Sequence, residues 1–212
     1  MLDSKDVVKS LLWRCAVKSF SQEKLPNDII DSIKEILVLT PSAYGIQPWR
    51  FIIVQNEEIR KQLTSHSWNQ PQIENCSHFI VFCAMKTINE KYINEYIELM
   101  AEKRGTKIAD LVWYKDMLVK NLLNLSDHEF LEWSKRQAYI ALGNLLTSLA
   151  VMQIDSCPIE GLSASDYDKI LGLENTNYAT VFACPIGFRD QNDPYAKLTK
   201  VRFDIEDVFE YR

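Results

Sequence analysis

The sequence predicts an α+β fold: a small central sheet flanked by helices, with one long helix at its centre. Three observations carry this reading. Aromatic and β-branched runs occur at Trp49–Val54, His78–Ala84 and Tyr178–Phe188, separated by segments whose apolar residues return every three or four positions. Ser126 and Glu129 form a capping-box pattern that opens one continuous helical stretch, Asp127 to about Met152. The composition, 47% apolar and 25% charged over 212 residues, belongs to a globular chain long enough to bury a core.

The elements follow in order. Ser4 is placed to cap a first helix carrying Val7, Val8, Leu11 and Leu12 at helical spacing. RCAVKSFSQEKLP is polar and ends at Pro26. Asn27 then caps a second helix with Ile29, Ile30, Ile33, Ile36 and Leu37 on one side, and Pro41 ends it. TPSAYGIQP is a loop leading into the first strand, where Trp49 is expected in the core. A short helix around Glu57–Ser65 precedes the polar segment SWNQPQIENCS, and His78–Ala84 reads as a strand buried on both faces. Asn89–Arg104 and Thr106–Leu123 are charged and helical. The second half of the long helix is apolar nearly all round, as a helix at the protein's centre or in a subunit interface needs to be. Gly143 inside it lowers helix propensity by about 1 kcal/mol, which close packing of another backbone would explain. A helix near Asp166–Leu171 stops at Gly172, the third strand follows, and the tail from Asp190 is mixed and polar. No repeat or linker divides the chain, so 1–212 reads as a single domain with a helical excursion at about 89–125.

Several function classes are disfavoured. The net charge is −5, without the basic excess or stripe of a nucleic-acid binder. No stretch reaches the roughly 18 apolar residues of a membrane span; Ala138–Ile154 comes nearest and is interrupted by Asn144, Thr147, Ser148 and Gln153. MLDSKDVVKS lacks the basic start and apolar middle of a signal peptide, so a cytoplasmic location is expected. Cys15, Cys76, Cys83, Cys157 and Cys184 are scattered without CxxC, and His66, His78 and His128 lack ligand spacing. Free thiols and no metal are therefore expected. The glycines form neither GxGxxG nor a P-loop, and no GxSxG elbow is present.

The unusual residues concentrate in RCAVKSF, PSAYGIQPW, WNQPQ, PIEG and the terminal KLTKVR. Arg14 with Lys18, and Lys200 with Arg202, are two small cationic clusters in an acidic chain. They can converge on one phosphate through guanidinium forks and point charges, although isolated cationic pairs are usually solvated surface.

Taken together and in this order, RCAVKSF, TPSAYGIQPWRFIIV, WNQPQ, CPIEG and KLTKVRF resemble the FMN-dependent nitroreductase family over nearly the whole chain, in particular its oxygen-insensitive NAD(P)H nitroreductase and dihydropteridine reductase branch. The resemblance implies a nitroreductase-like, intertwined homodimer with FMN at the subunit interface. It makes Arg14, Lys200 and Arg202 the phosphate ligands, with Ala16 beside them. Lys18 would lie by the ribityl chain and pyrimidine edge, where a fixed cation stabilises reduced flavin. Asn69 and Gln72 would meet the pyrimidine. Pro158, Ile159, Glu160 and Gly161 form the segment whose backbone N–H groups, those of Glu160 and Gly161, face flavin N5 and O4. Lys18 and the Glu160 backbone are thus the catalytic candidates. Pro41, Ser42, Ala43 and Gly45 lie in the loop that reaches the flavin from the partner subunit.

Three departures stand out. Ala16 replaces a serine common in the family, which should weaken FMN binding slightly. Gln72 replaces a second lysine and carries no charge, so more of that role falls on Lys18. Tyr44-Gly45-Ile46 replaces a more polar stretch. The implied reaction is ping-pong: NADH or NADPH passes hydride to flavin N5, and a small-molecule acceptor (nitroaromatic, quinone, enal or pteridine) then takes it. The alternative is a flavin-binding or sensing protein with little turnover. Phe130, Trp113 and Tyr114 stand between lining the substrate face and packing in the core or an interface.

Overall fold

The computed structural model describes residues 3–212. Helices α1 (Ser4–Trp13) and α2 (Asn27–Val38) precede strand β1 (Trp49–Val54). Next come α3 (Glu57–Ser65), the one-turn α4 (Gln72–Asn75) and β2 (His78–Met85). The excursion is α5 (Glu90–Arg104) and α6 (Val112–Leu122), followed by the long α7 (Asp127–Val151). The chain ends with β3 (Asp155–Ser156), α8 (Ala164–Ile170), β4 (Tyr178–Gly187) and α9 (Ile205–Val208).

The strands form one antiparallel sheet in the order β1-β2-β4-β3. β2 lies between two strands and its side chains alternate between two cores, as a period of two requires. Ile80 and Phe82 pack on one face with Leu37, Leu145, Leu149 and Phe182. Phe79, Val81 and Cys83 pack on the other with Leu63, Ile73, Ile159 and Tyr167. Helices α2 and α7 therefore cover one face, α3 and α8 the other. Trp49 is buried in the first core, as expected. Residues of α5 and α6 make a third cluster with Phe130 of α7, Ile46 and Met85.

The capping box opens α7 as predicted: the Glu129 N–H donates to Ser126 Oγ at 3.3 Å and the Ser126 N–H to Glu129 Oε2 at 2.9 Å. Elsewhere the structure corrects the local reading. Asp3, not Ser4, caps α1, accepting from the Lys5 N–H. Asn27 is already helical and caps nothing with its side chain; the Pro26 carbonyl accepts from Ile30 instead. The sheet has a fourth strand, β3, absent from the sequence reading. SWNQPQIENCS, read only as polar, contains α4. Beyond the surrounding turns of α7, no described atom comes within 4 Å of where a Cβ on Gly143 would sit, so among the described residues no other backbone packs there. Among the described residues, no helix is long and apolar enough to cross a membrane.

Candidate functional site

The RCAVK segment leaves α1 at Arg14 and is laid along the sheet by a parallel bridge between Ala16 and Ser156. Asp193 anchors it further: one carboxylate oxygen accepts from the N–H groups of Lys18 (2.7 Å) and Ser19 (3.2 Å). The C-terminal segment returns to the same place, where the Lys200 ammonium donates to the Arg14 carbonyl. Arg14, Cys15, Ala16, Lys200 and Arg202 line an open cavity of about 330 Å³. Burial, together with the charges of Arg14 and Arg202, holds the Lys200 ammonium below the ordinary lysine value. Like charges gathered in this way favour an anion, which would relieve their repulsion. Arg189 is also close by, but it is committed elsewhere: its Nη2 lies 2.6 Å from Asp155 Oδ1, and its guanidinium stacks 4.2 Å from the Trp13 ring centre. Among the described residues, no carboxylate pairs with Arg14, Lys18, Lys200 or Arg202.

The WNQPQ segment turns sharply after α3, with Trp68 and Asn69 both left-handed (φ 54° and 53°). The Asn69 N–H donates to the Thr64 carbonyl at 3.2 Å, and buried Ser67 Oγ sits 2.6 Å from the Tyr167 hydroxyl. Trp68 is 82% exposed, yet its ring lies on Gly161, where a Cβ would come within 2.6 Å of Cζ3. Gln72 is only 2% exposed; its Nε2 donates to Gln70 Oε1 at 2.9 Å and contacts Cys157 Sγ at 3.8 Å. Lys18 Nζ reaches the same sulfur at 3.4 Å. Two segments far apart in sequence, through Lys18 and Gln72, thus converge on Cys157, which the sequence marked only as a free thiol. Its one signal was its place immediately before PIEG.

Pro158–Gly161 is held by β4, with Ile159 both donating to and accepting from Ala183 at 2.7 and 3.0 Å. The Glu160 carboxylate accepts from the Tyr139 hydroxyl at 2.7 Å, and the Gly161 carbonyl accepts from Gln70 Nε2 at 3.3 Å. Among the described residues, the N–H groups of Glu160 and Gly161 donate to no partner. Two adjacent free donors suit the acceptor edge of a flat ligand, and in a single copy the exposed Trp68 ring covers the glycine.

The loop at Pro41, Ser42, Ala43 and Gly45 is built elsewhere. Tyr44, Gly45 and Gln47 are left-handed (φ 58°, 70° and 51°), and a Cβ on Gly45 would meet the Tyr96 hydroxyl at 2.5 Å. Tyr96 and Tyr114 donate to the Tyr44 carbonyl at 3.0 and 2.8 Å, and Tyr92 to that of Ile46 at 2.7 Å. Gln137 Oε1 accepts from the Ala43 N–H at 2.8 Å. Its hydrogen bonds therefore run to α5, α6 and α7, and none runs to RCAVK, WNQPQ or PIEG. Within one copy, the structure brings together the cations, Cys157, Gln72 and PIEG, and leaves this loop apart. Of the three aromatics left open, Phe130 is buried in the third core, Trp113 is exposed and Tyr114 anchors the loop.

Comparison with known proteins gives a consistent result. The sequence profile of the nitroreductase family matches residues 11–188. A candidate NAD(P)H nitroreductase of Staphylococcus saprophyticus is 31% identical over 213 aligned residues, covering 96% of this chain and 97% of that protein. Among solved structures, a candidate nitroreductase of Bacillus subtilis superposes with a TM-score of 0.88 at 16% identity, covering 99% of this chain and all of the other. A candidate nitroreductase of Exiguobacterium sibiricum, determined in complex with FMN, superposes with a TM-score of 0.81 at 21% identity, covering 100% and 98%.

Proposed function

Because the chain belongs to the nitroreductase family, we propose that it is an FMN-dependent oxidoreductase that draws on NADH or NADPH and reduces electron-poor small molecules, with the whole chain 1–212 serving as one FMN-binding domain. The observation that carries this reading is the set of cations without carboxylate partners in an acidic protein, three of them lining one cavity. The donor set suits FMN: cations for a phosphate dianion, and two free amide donors for the edge of a flat ring.

FMN, when bound, supplies the hydride chemistry, accepting from the nicotinamide and delivering to a nitroaromatic, quinone, enal or pteridine. The chain's residues bind and orient. Arg14, Lys200 and Arg202 hold the phosphate by charge-assisted bonds. Lys18 places a positive charge where the pyrimidine gains electron density. Asn69 meets the pyrimidine, and the Glu160 and Gly161 N–H groups face the central ring. Gln72, already committed to Gln70 and Cys157, holds that wall of the site in place.

The working form in this reading is a homodimer in the cytoplasm, the second copy supplying its Pro41–Gly45 loop. What favours it is apolar surface that one copy leaves in water: Val8 and Leu12 on α1, Ile140 on α7, and Phe203, Val208 and Phe209 on the tail.

The deciding experiment is an anaerobic visible spectrum of FMN-loaded protein before and after NADH or NADPH. Bleaching of a bound-flavin spectrum is the expected result and identifies the donor. Bound flavin that does not bleach selects the alternative, a flavin-binding protein with little turnover. Failure to retain flavin overturns both.

A further inference from the structure

The Glu160–Gly161 backbone donors sit in a turn that the protein grips unevenly. Upstream, Ile159 is paired with β4 through both its N–H and its carbonyl. Downstream, the Ser163 N–H donates to the His66 carbonyl at 2.9 Å, and Gln70 holds the Gly161 carbonyl. Among the described residues, the only main-chain bond at residue 160 is local, from Leu162 N–H to the Glu160 carbonyl at 2.8 Å. Among the described residues, the one hydrogen bond that ties residue 160 beyond its own turn is made by its side chain, 2.7 Å from the Tyr139 hydroxyl. Tyr139 is well placed to serve as an anchor. It rises from the long helix α7, and its ring packs on Phe182 of the core with centroids 4.6 Å apart.

We propose that Tyr139 is a positioning residue: through the Glu160 carboxylate it fixes the direction of the free Glu160 and Gly161 N–H groups that orient the flavin ring. The inference rests on the reading above for what those groups face. Two physical effects combine. A hydroxyl-to-carboxylate bond is short and charge-assisted, so it is stiff compared with a bond between neutral groups. It also gives the carboxylate a fixed partner, since no cation pairs with Glu160 among the described residues. A loose carboxylate beside two free N–H donors would compete for them and repel electron density gathering on a ligand; bonded to Tyr139, it leaves both donors open. Burial and the neighbouring Glu160 push the Tyr139 hydroxyl up to about 12, so it remains a donor throughout the neutral range.

The test compares the parent with Tyr139→Phe, which keeps the ring on Phe182, and with Glu160→Leu and Glu160→Gln, the last retaining an oxygen that can accept from Tyr139. The readouts are FMN affinity, the nitrogen-15 resonance of N5 in labelled FMN, and hydrogen exchange over residues 159–163 of the apoprotein. Tyr139→Phe and Glu160→Leu are expected to bind FMN about fivefold more weakly, or about 1 kcal/mol. In both, the N5 resonance should move toward that of FMN in water and exchange over 159–163 should quicken, with Glu160→Gln closer to the parent. An unchanged N5 resonance in both variants overturns the proposal while leaving the FMN reading intact. If the parent binds no FMN, the underlying reading fails instead, and exchange that stays slow in Tyr139→Phe apoprotein rejects the clamp as well.

Discussion

Replacing both Lys200 and Arg202 by alanine separates ligand binding from folding, because the two effects carry opposite signs. A charge-assisted hydrogen bond contributes about 1.5–3 kcal/mol. Lys200 is half-buried and keeps about 2 of this, whereas exposed Arg202 keeps about 1 after screening. Their joint loss should weaken FMN binding by about 3 kcal/mol, or somewhat more than a hundredfold. The apoprotein should respond differently. The folded-state ammonium of Lys200 is held below its unfolded value of 10.5, so carrying the charge in the fold disfavours the native state at neutral pH. That penalty fades only as pH rises through the depressed folded value toward the unfolded one. Removing the cation relieves it, while the bond from Lys200 to the Arg14 carbonyl is lost. The two changes offset, so the apoprotein's melting temperature should hold or rise slightly. FMN titrations by fluorescence quenching, run beside thermal melts of the apoprotein at low and high salt, check both halves. The reasoning is refuted if the double variant keeps FMN as tightly as the parent, or if the apoprotein loses as much stability as binding does.

Lys18→Ala should leave the fold intact, since Asp193 anchors this segment through backbone N–H groups rather than the lysine side chain. Anaerobic stopped-flow should show reduction by NAD(P)H slowed roughly tenfold at saturating FMN, equivalent to about 1.4 kcal/mol of lost charge stabilisation. Gly161→Ala would put a methyl group against the exposed Trp68 ring. The ring can swing away, so urea melts should register less than about 1 kcal/mol, tryptophan emission should change, and Trp68→Ala in the same chain should restore the melt. Asp193→Asn tests acid behaviour. Burial alone would push this carboxyl up, but the N–H groups of Lys18, Tyr195 and Ser19, with the charge of Arg189, outweigh it and hold it below 3.8. Its stabilisation is present above 3.8 and lost as pH falls through the lower folded value. The variant should therefore be weaker than the parent near neutrality, and their urea midpoints should converge in acid. Tyr96→Phe with Tyr114→Phe removes both donors from the Tyr44 carbonyl, at a non-glycine residue that adopts φ 58°. About 1–2 kcal/mol should be lost, with proteolytic nicking near residue 44 as a second readout.

Features set by neighbours in sequence were legible from the sequence. The capping box at Ser126 needs only Glu129, and the burial of β2 on both faces follows from its own unbroken apolar run. Long-range dependence hid the rest. β3 is two residues long, and nothing in Asp155–Ser156 marks a strand; Gly187 and Ile186 create it by pairing. Asn27 has the chemistry of a cap, but Pro26 sets the chain direction so that Asn27 already lies inside the helix. In the site, Arg14, Lys200 and Arg202 could be grouped by residue type, because cations in an acidic chain stand out. Tyr139 could not, since nothing in its place on α7 sets it apart from other partly exposed aromatics and its partner Glu160 comes from a separate segment. The role of Cys157 was hidden for the same reason: a sulfur approached by Lys18 and Gln72 is a property of three segments meeting.

Where the cations sit has a consequence for the proposed dimer. Lys200 and Arg202 do not stand on a core element. They open a tail whose apolar residues, Val201, Phe203, Ile205, Val208 and Phe209, lie on the surface of a single copy, Phe203 at 84% exposure. In isolation such a tail loses little by moving, and each cation on it would give up conformational entropy to hold a phosphate. Packing those residues against a second copy would supply that ordering from apolar burial, at about 25 cal/mol for each Å² removed from water. The cations would then meet the phosphate already fixed. The Pro41–Gly45 loop fits the same reasoning from the other side. It is held by Tyr96, Tyr114 and Gln137, yet makes no hydrogen bond to the segments it is expected to serve, as expected of a loop presented to another copy. On this reading FMN affinity and subunit association are one linked equilibrium, each strengthening the other by mass action.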